Sequence, residues 1–191
     1  MTTSALAIRP DDIRLRQADI SDSQALVALL NRCYRNDEGW TNESQLIGGI
    51  RTTLAEIEKT ITADGSYVFV FEPEIDGQKQ ILACIGVQFT TMHDKNVAYI
   101  GTFAVSPELQ GKGVGNTLLT AVETFAGRHA TRHALDGCAM SILSHRPELL
   151  AYYERRGYQL TGESMPFPDD GNNGEPKRDD LALHWLFKPM S

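Results

Sequence analysis

The sequence predicts a mixed α/β fold, α+β in arrangement, whose sheet is mostly antiparallel. Three successive runs, 67–71, 81–91 and 96–105, are rich in β-branched and aromatic residues, with only short turn-forming segments between them. Strands this close in sequence pair as antiparallel neighbours. An amphipathic helix starts almost directly after the third run, so a helical layer packs on the sheet. At 191 residues the chain fits one well-cored domain, the usual size being ~100–200 residues. We read 1–191 as a single domain with its core over about 11–188.

Each element has a local cause. Ile13-Arg14-Leu15-Arg16-Gln17 alternates apolar and polar residues, as a half-buried strand does. Ser21 with Gln24 reads as a capping box, and Ala25, Leu26, Leu29, Leu30 and Cys33 behind it share one helical face. Asn36-Asp37-Glu38-Gly39 breaks that pattern. A second helix is expected over 53–63, aligning Leu54, Ile57 and Ile61. After the Asp64-Gly65 turn, strand 67–71 is stopped by Pro73, and Asp76-Gly77 turns the chain back into 81–91. Strand 96–105 ends at a glycine-rich turn.

In the helix beyond that turn, Val114, Thr117, Leu118, Ala121, Val122 and Phe125 form the expected apolar stripe. A short strand follows over 139–143. Pro147 suits a first helical turn, Leu149, Leu150 and Tyr153 share a face, and Gly157 suits a left-handed cap. Closing strands are expected over 158–162 and 181–188, with a long loop rich in Pro, Gly, Asn and Asp over 165–180. The order is β-α-α-β-β-β-α-β-α-β-β.

Composition narrows the function classes. A net charge of −7 argues against non-specific nucleic-acid binding, which needs a basic face. No apolar run approaches the ~18 residues of a membrane span, and residues 1–12 lack a basic start with an apolar core. A cytoplasmic protein with no membrane or nucleic-acid partner is expected. Cys33, Cys84 and Cys138 are far apart and odd in number, which fits small buried thiols rather than a disulfide framework or a zinc site. An acyl-cysteine at Cys138 has no supporting neighbour in sequence. His129 and His133 share a helix face without an acidic or third ligand, so a solvated helix end and no metal are expected.

The most specific signal is Gln110-Gly111-Lys112-Gly113-Val114-Gly115-Asn116, between a strand and a helix. Glycines at a helix N-terminus leave N–H donors open to an anion, phosphate above all. A dinucleotide fingerprint G-x-G-x-x-G would need glycine at 116 or 118, where Asn116 and Leu118 stand. A P-loop fails because Gly113 follows Gly111-Lys112. Q/R-x-x-G-x-G/A fits. On a strand ending in Val105-Ser106-Pro107, this loop resembles the coenzyme A pyrophosphate loop of the GNAT acetyltransferase superfamily. The family's element order is the one derived above. The resemblance is sharp over about 99–158 and elsewhere is one of element order.

The resemblance implies an acetyl-CoA-dependent N-acetyltransferase, with acetyl-CoA as co-substrate and no metal. It implies cofactor contacts at Phe103, Val105, Gln110, Gly111, Lys112, Gly113, Val114, Gly115 and Asn116. Tyr153 stands four residues before Gly157-Tyr158, the family's place for the general acid that protonates the departing thiolate. A phenol of pKa ~10 can donate to a thiolate whose conjugate acid lies near ~8.5. Two departures stand out. Arg146 replaces the asparagine that often contacts pantetheine, a contact that would pass to Ser144. Strand 97–105 carries no carboxylate, so the base would be a residue elsewhere, an ordered water or bulk solvent.

In the fold so implied, the segment joining the first two helices borders the acceptor groove. It holds Tyr34, Asp37, Glu38, Trp40 and Glu43, suited to a small cationic primary amine by charge and cation–π contact. Tyr34, Trp40 and Glu43 are the expected substrate residues. The expected assembly is a monomer or homodimer. Two other readings stay open: a non-catalytic acyl-CoA-binding or sensor domain, which the missing strand carboxylate fits, and a protein N-terminal or lysine acetyltransferase. Tyr153 in register fits an enzyme.

Overall fold

The computed structural model describes residues 8–168, 171 and 173–190. In chain order the elements are β1 (Leu15–Gln17), α1 (Ser23–Arg35), β2 (Ile47–Gly48), α2 (Leu54–Thr62), β3 (Ser66–Phe71), β4 (Glu74–Ile75), β5 (Gln78–Lys79) and β6 (Ala83–Met92). There follow β7 (Lys95–Val105), α3 (Val114–His133), β8 (Gly137–Leu143), α4 (Pro147–Glu154), β9 (Gln159–Pro166), β10 (Glu175–Pro176) and β11 (Ala182–Pro189). The main sheet runs β1-β3-β6-β7-β8-β11-β9. Every pairing in it is antiparallel except that of β7 with β8, which α3 connects.

Strand alternation builds the two helical layers. Val68 and Val70 face one way and join Leu26, Leu30, Cys33 and Ile57 under α1 and α2. Tyr67 and Phe69 face the other way and pack with Leu118, Val122 and Tyr158 under α3 and α4. Cys33, Cys84 and Cys138 are free and buried. Burial holds the Cys33 and Cys138 thiols up at about 11, so neither is a thiolate at neutral pH.

Four local expectations need correction. The first helix is not started by Ser21 and Gln24. Asp19 and Asp22 cap a 3-10 turn one step earlier, and the Ser21 hydroxyl donates to Asp19. Ala25 is exposed accordingly. On α3 the buried stripe is Val114, Leu118, Leu119, Val122 and Ala126, leaving Ala121 exposed. His129 and His133 are not a solvated helix end. They are half-buried among Phe89 and Phe125, and His129 Nδ1 lies 2.9 Å from the Phe125 carbonyl oxygen. The segment 165–180 is not all loop: β9 reaches Pro166, and β10 pairs with β2, giving the region between α1 and α2 a strand partner no local signal reveals.

Among the described residues no helix is long and apolar enough to cross a membrane, and no His/Cys/Asp/Glu group is placed to hold a metal ion.

Candidate active site

The site begins where two strands part. Pairing of β7 with β8 stops at Tyr99 opposite Ala139, and the Tyr99 hydroxyl lies 2.8 Å from Ser141 Oγ at the root of the split. Beyond it β7 carries an extra residue: Gly101 faces Gly86 and Ala104 faces Cys84, so Thr102 and Phe103 oppose Ile85 alone. Such a bulge bends the strand and sharpens its twist. Thr102 sits at φ 48°, a left-handed conformation that costs a β-branched residue roughly 1–3 kcal/mol. The Phe103 carbonyl next to it accepts from the Tyr34 hydroxyl of α1.

Two cavities open on either side of this bulge. The first, about 360 Å³, runs from the glycine-rich turn to α4. Gly113 caps α3 at φ 81° without any side-chain cap, and the first helical N–H to find a partner is that of Thr117, bonded to the Gly113 carbonyl at 3.1 Å. The N–H groups of Val114, Gly115 and Asn116 precede it and have no partner among the described residues, as the first donors of a helix do. A Cβ on Gly111 would meet none of the described residues within 4 Å, so its φ of 75° rather than crowding requires glycine there. On Gly115 a Cβ would stand 3.4 Å from the Tyr152 hydroxyl and 3.6 Å from Phe103, narrowing the cavity. Open N–H groups, a positive dipole end and a widened cleft fit a pyrophosphate and its pantetheine arm.

The expected cofactor residues divide. Phe103, Val105, Gln110, Gly111, Gly113, Gly115 and Asn116 all line the first cavity. Lys112 does not line it, and the Val114 side chain is buried in the core, leaving its backbone N–H for the site. Gln110 uses its side chain internally: Nε2 donates to Val105 O at 2.9 Å and to Thr41 Oγ1 at 3.2 Å, and Oε1 accepts from Trp40 N at 2.9 Å. It latches the 39–41 segment to the end of β7. Ser144 lines neither cavity; its buried hydroxyl accepts from Ala182 N at 2.9 Å.

The sequence reading missed Tyr152 and Arg156. The Arg156 guanidinium stacks on the Tyr152 ring at 3.5 Å and donates to Asn116 Oδ1 at 2.9 Å, placing a cation in the wall beside the glycine turn. Their i, i+4 spacing, from α4 into the turn that follows it, was the available signal. Trp40, 42% exposed, stands over Tyr152 with ring centroids 5.7 Å apart, so it borders the first cavity rather than the second.

The second cavity, about 230 Å³, fills the split between β7 and β8 beneath α1, the 43–51 segment, Phe167, Pro168 and Asn173. Tyr34, Phe103, Leu149 and Tyr153 belong to both cavities. Tyr153 is 8% exposed and sits edge-on to Tyr152 and Tyr158. Its hydroxyl makes no hydrogen bond to any described residue, and burial pushes its pKa well above that of a free phenol.

The acidic cluster expected over 37–43 does not form. Asp37 accepts from Ser44, Glu38 pairs with Arg32 at 2.8 Å, and neither lines a cavity. Glu43 does line the second cavity, where Arg35 holds it at 3.0 Å. Arg146, buried at the start of α4, donates to the carbonyls of Trp40 at 2.9 Å and Asn42 at 3.2 Å, and to Glu148. It is the clamp of this segment.

A mostly antiparallel sheet split at its one parallel join, over an uncapped glycine helix start, defines an acetyltransferase fold. The Acetyltransferase (GNAT) family profile matches residues 23–158, and the chain belongs to that family. Its members use acetyl-CoA as co-substrate. No curated relative matches it in sequence. Among solved structures it is similar to an N-acetyltransferase from Staphylococcus aureus Mu50, with TM-score 0.67, 16% identity, and 93% of this chain and 97% of that one covered. It is also similar to a ribosomal-protein-alanine N-acetyltransferase from Brucella melitensis (TM-score 0.62, 19% identity, 93% and 99% covered). A spermidine/spermine N-acetyltransferase from Vibrio cholerae gives TM-score 0.60, 18% identity, and 95% of both chains covered. At these identities the likeness is one of fold.

Proposed function

We propose that the protein moves the acetyl group of acetyl-CoA to the primary amine of a small molecule by direct attack, with Tyr153 as general acid. One observation carries this reading: the buried Tyr153, its hydroxyl without a described partner, lies in the wall that both cavities share. The glycine turn and the N–H groups of Val114, Gly115 and Asn116 hold the pyrophosphate, and Arg156 adds a cation beside it. Pantetheine then lies along Val105 and Phe103 toward the bulge.

The acceptor enters from the second cavity as a cationic ammonium, drawn to Glu43 and Tyr34. β7 carries no carboxylate, so the ammonium gives its proton to water. The neutral nitrogen attacks the thioester carbonyl carbon, and the second proton it must lose to become an amide nitrogen passes to water as the tetrahedral intermediate collapses. Backbone N–H groups at the splayed end of β7 near Val105 face the developing oxyanion. As the C–S bond breaks, the sulfur takes the Tyr153 proton, and solvent restores the phenol. A buried phenol stays protonated at neutral pH, as this role requires.

Thiol release and acetylated product, followed against a library of amines, test the reading. Turnover that needs an amine supports it. Tight acetyl-CoA binding with no acetylated product from any amine identifies a binding or sensor domain instead.

A further inference from the structure

Among the described residues, the charges lining the second cavity oppose the net charge of the chain. The chain carries a net −7, yet among the described residues the charged side chains that line this cavity are two guanidiniums, Arg35 and Arg51, against one carboxylate, Glu43. Glu43 is already paired with Arg35. The Arg51 guanidinium has no hydrogen-bond or ion-pair partner among the described residues, and rests over the Tyr34 ring at 5.3 Å. Arg35, with its side chain 6% exposed, donates to Glu43 and to the Asn173 carbonyl, while its Nε finds no acceptor among the described residues. A buried donor left without an acceptor is unfavourable, and a planar anion matches a guanidinium fork.

We infer that the acceptor is an amino acid, whose carboxylate is held by Arg51 while its amine reacts at Tyr153. This rests on the acetyl-transfer reading above. The Tyr34 ring fixes the spacing: Arg51 lies on its face, and its hydroxyl reaches the Phe103 carbonyl in the shared wall. An anion on Arg51 is therefore one tyrosine ring away from the reacting centre, a span that a compact amino acid covers. Cavity size agrees, since about 230 Å³ lies below the ~300–1,000 Å³ typical of sites for larger ligands. The ammonium faces Glu43 and the carboxylate faces Arg51, so the cavity is matched to a zwitterion rather than to a polycation.

The test compares α- and ω-amino acids with the amide and the decarboxylated amine of each, in the wild-type protein and in Arg51→Gln and Arg51→Lys. The free acids should be preferred by wild type. Arg51→Gln should raise KM for the preferred acid roughly 10- to 100-fold, as loss of a charged hydrogen-bond partner does, and leave KM for acetyl-CoA and for the amide unchanged. Arg51→Lys, with charge but no fork, should fall between. Amides or amines acetylated as well as the acids by wild type would overturn this inference and leave acetyl transfer standing. A KM rise in Arg51→Gln equal for acids and amides would overturn it too. No acetylation in any series would overturn both.

Discussion

The two cavities that meet at Tyr153 are made of different materials. The first presents backbone N–H groups and mostly apolar side chains, most of them from one continuous stretch, 103–116, and from α4 and Arg156 just after it, with Tyr34, Trp40 and Thr41 bordering them. The second is walled by side chains from α1, from the 43–51 segment, from both diverging strands, from Leu149 and Tyr153 of α4, and by Phe167, Pro168 and Asn173. A co-substrate that all family members share can be held by backbone, whose geometry a few glycines determine. An acceptor that differs between members must be held by side chains, and these change without disturbing the fold. The comparison separates what is fixed in this protein from what is adjustable.

The largest effect should come from breaking the backbone side. Gly113→Glu places a carboxylate at φ 81°, beside the N–H groups that receive the pyrophosphate. Calorimetry should show acetyl-CoA affinity lowered at least 100-fold. Gly113→Ala separates strain from charge: the left-handed conformation costs about 1–2 kcal/mol, and among the described residues the added Cβ meets only Pro10, at 3.3 Å. Its binding should stay within about tenfold of wild type, because the N–H groups remain open. Equal affinities for the Glu variant and wild type would remove the glycine turn from the site.

Tyr153→Phe tests the wall between the cavities. Turnover should fall roughly 100-fold with acetyl-CoA affinity unchanged, since only a proton donor is lost. The pH profile sharpens the point. Burial raises the phenol above its usual ~10, so it is a competent donor throughout the range below that and is lost only as pH rises through the raised value. The wild-type rate should therefore climb as the acceptor ammonium deprotonates and show no fall below about pH 10. A fall between pH 7 and 9 would mean another group is the acid.

The same contrast explains what the sequence could reveal. The three antiparallel strands, the helix after the glycine turn and Tyr153 in register were all legible, because each rests on local periodicity or on a contiguous motif. The bulge at Thr102 and Phe103 was not. No turn residue marks it, and its left-handed Thr102 is imposed by the surrounding sheet. Gln110 was read as a cofactor ligand on family resemblance, whereas its side chain holds Trp40 and Val105, partners found only once the chain is folded. The loop carboxylates misled for a related reason. Charge counted along a segment shows which groups are present but not which arginine each one meets, and Arg32 and Arg35 lie in the last turn of α1.

The next prediction bears on what joins the two sides. Arg146 grips the carbonyls of Trp40 and Asn42, and this segment carries Trp40 to the first cavity and Glu43 to the second. Arg146→Met keeps the buried stem and removes the charged donors. A loss of about 2 kcal/mol is expected, lowering Tm by roughly 4–8 °C in a domain of this size. KM for acetyl-CoA and KM for the acceptor should rise together, about tenfold. A rise in one alone would show that the two cavities are positioned independently.

The smallest effect should come from Glu43→Gln, on the adjustable side. The change is isosteric and keeps an acceptor for Arg35, but removes the negative charge among the cavity's side chains. The ammonium loses its partner, so acceptor KM should rise about three- to tenfold, with kcat and acetyl-CoA affinity within a factor of two. The Arg35–Glu43 pair is nearly buried, with side-chain exposures of 6% and 11%, and a buried pair is screened little by salt. The wild-type acceptor KM should accordingly change less than twofold between about 0.05 and 0.3 M salt through this pair, whereas an exposed acidic loop would give a steep rise. Stability must be measured alongside, because Arg35 then keeps its charge opposite a neutral partner. An unchanged KM in Glu43→Gln, with folding intact, would take the ammonium away from Glu43 and leave its carboxylate only as the structural counter-ion of Arg35, at 3.0 Å, and Arg146, at 4.0 Å.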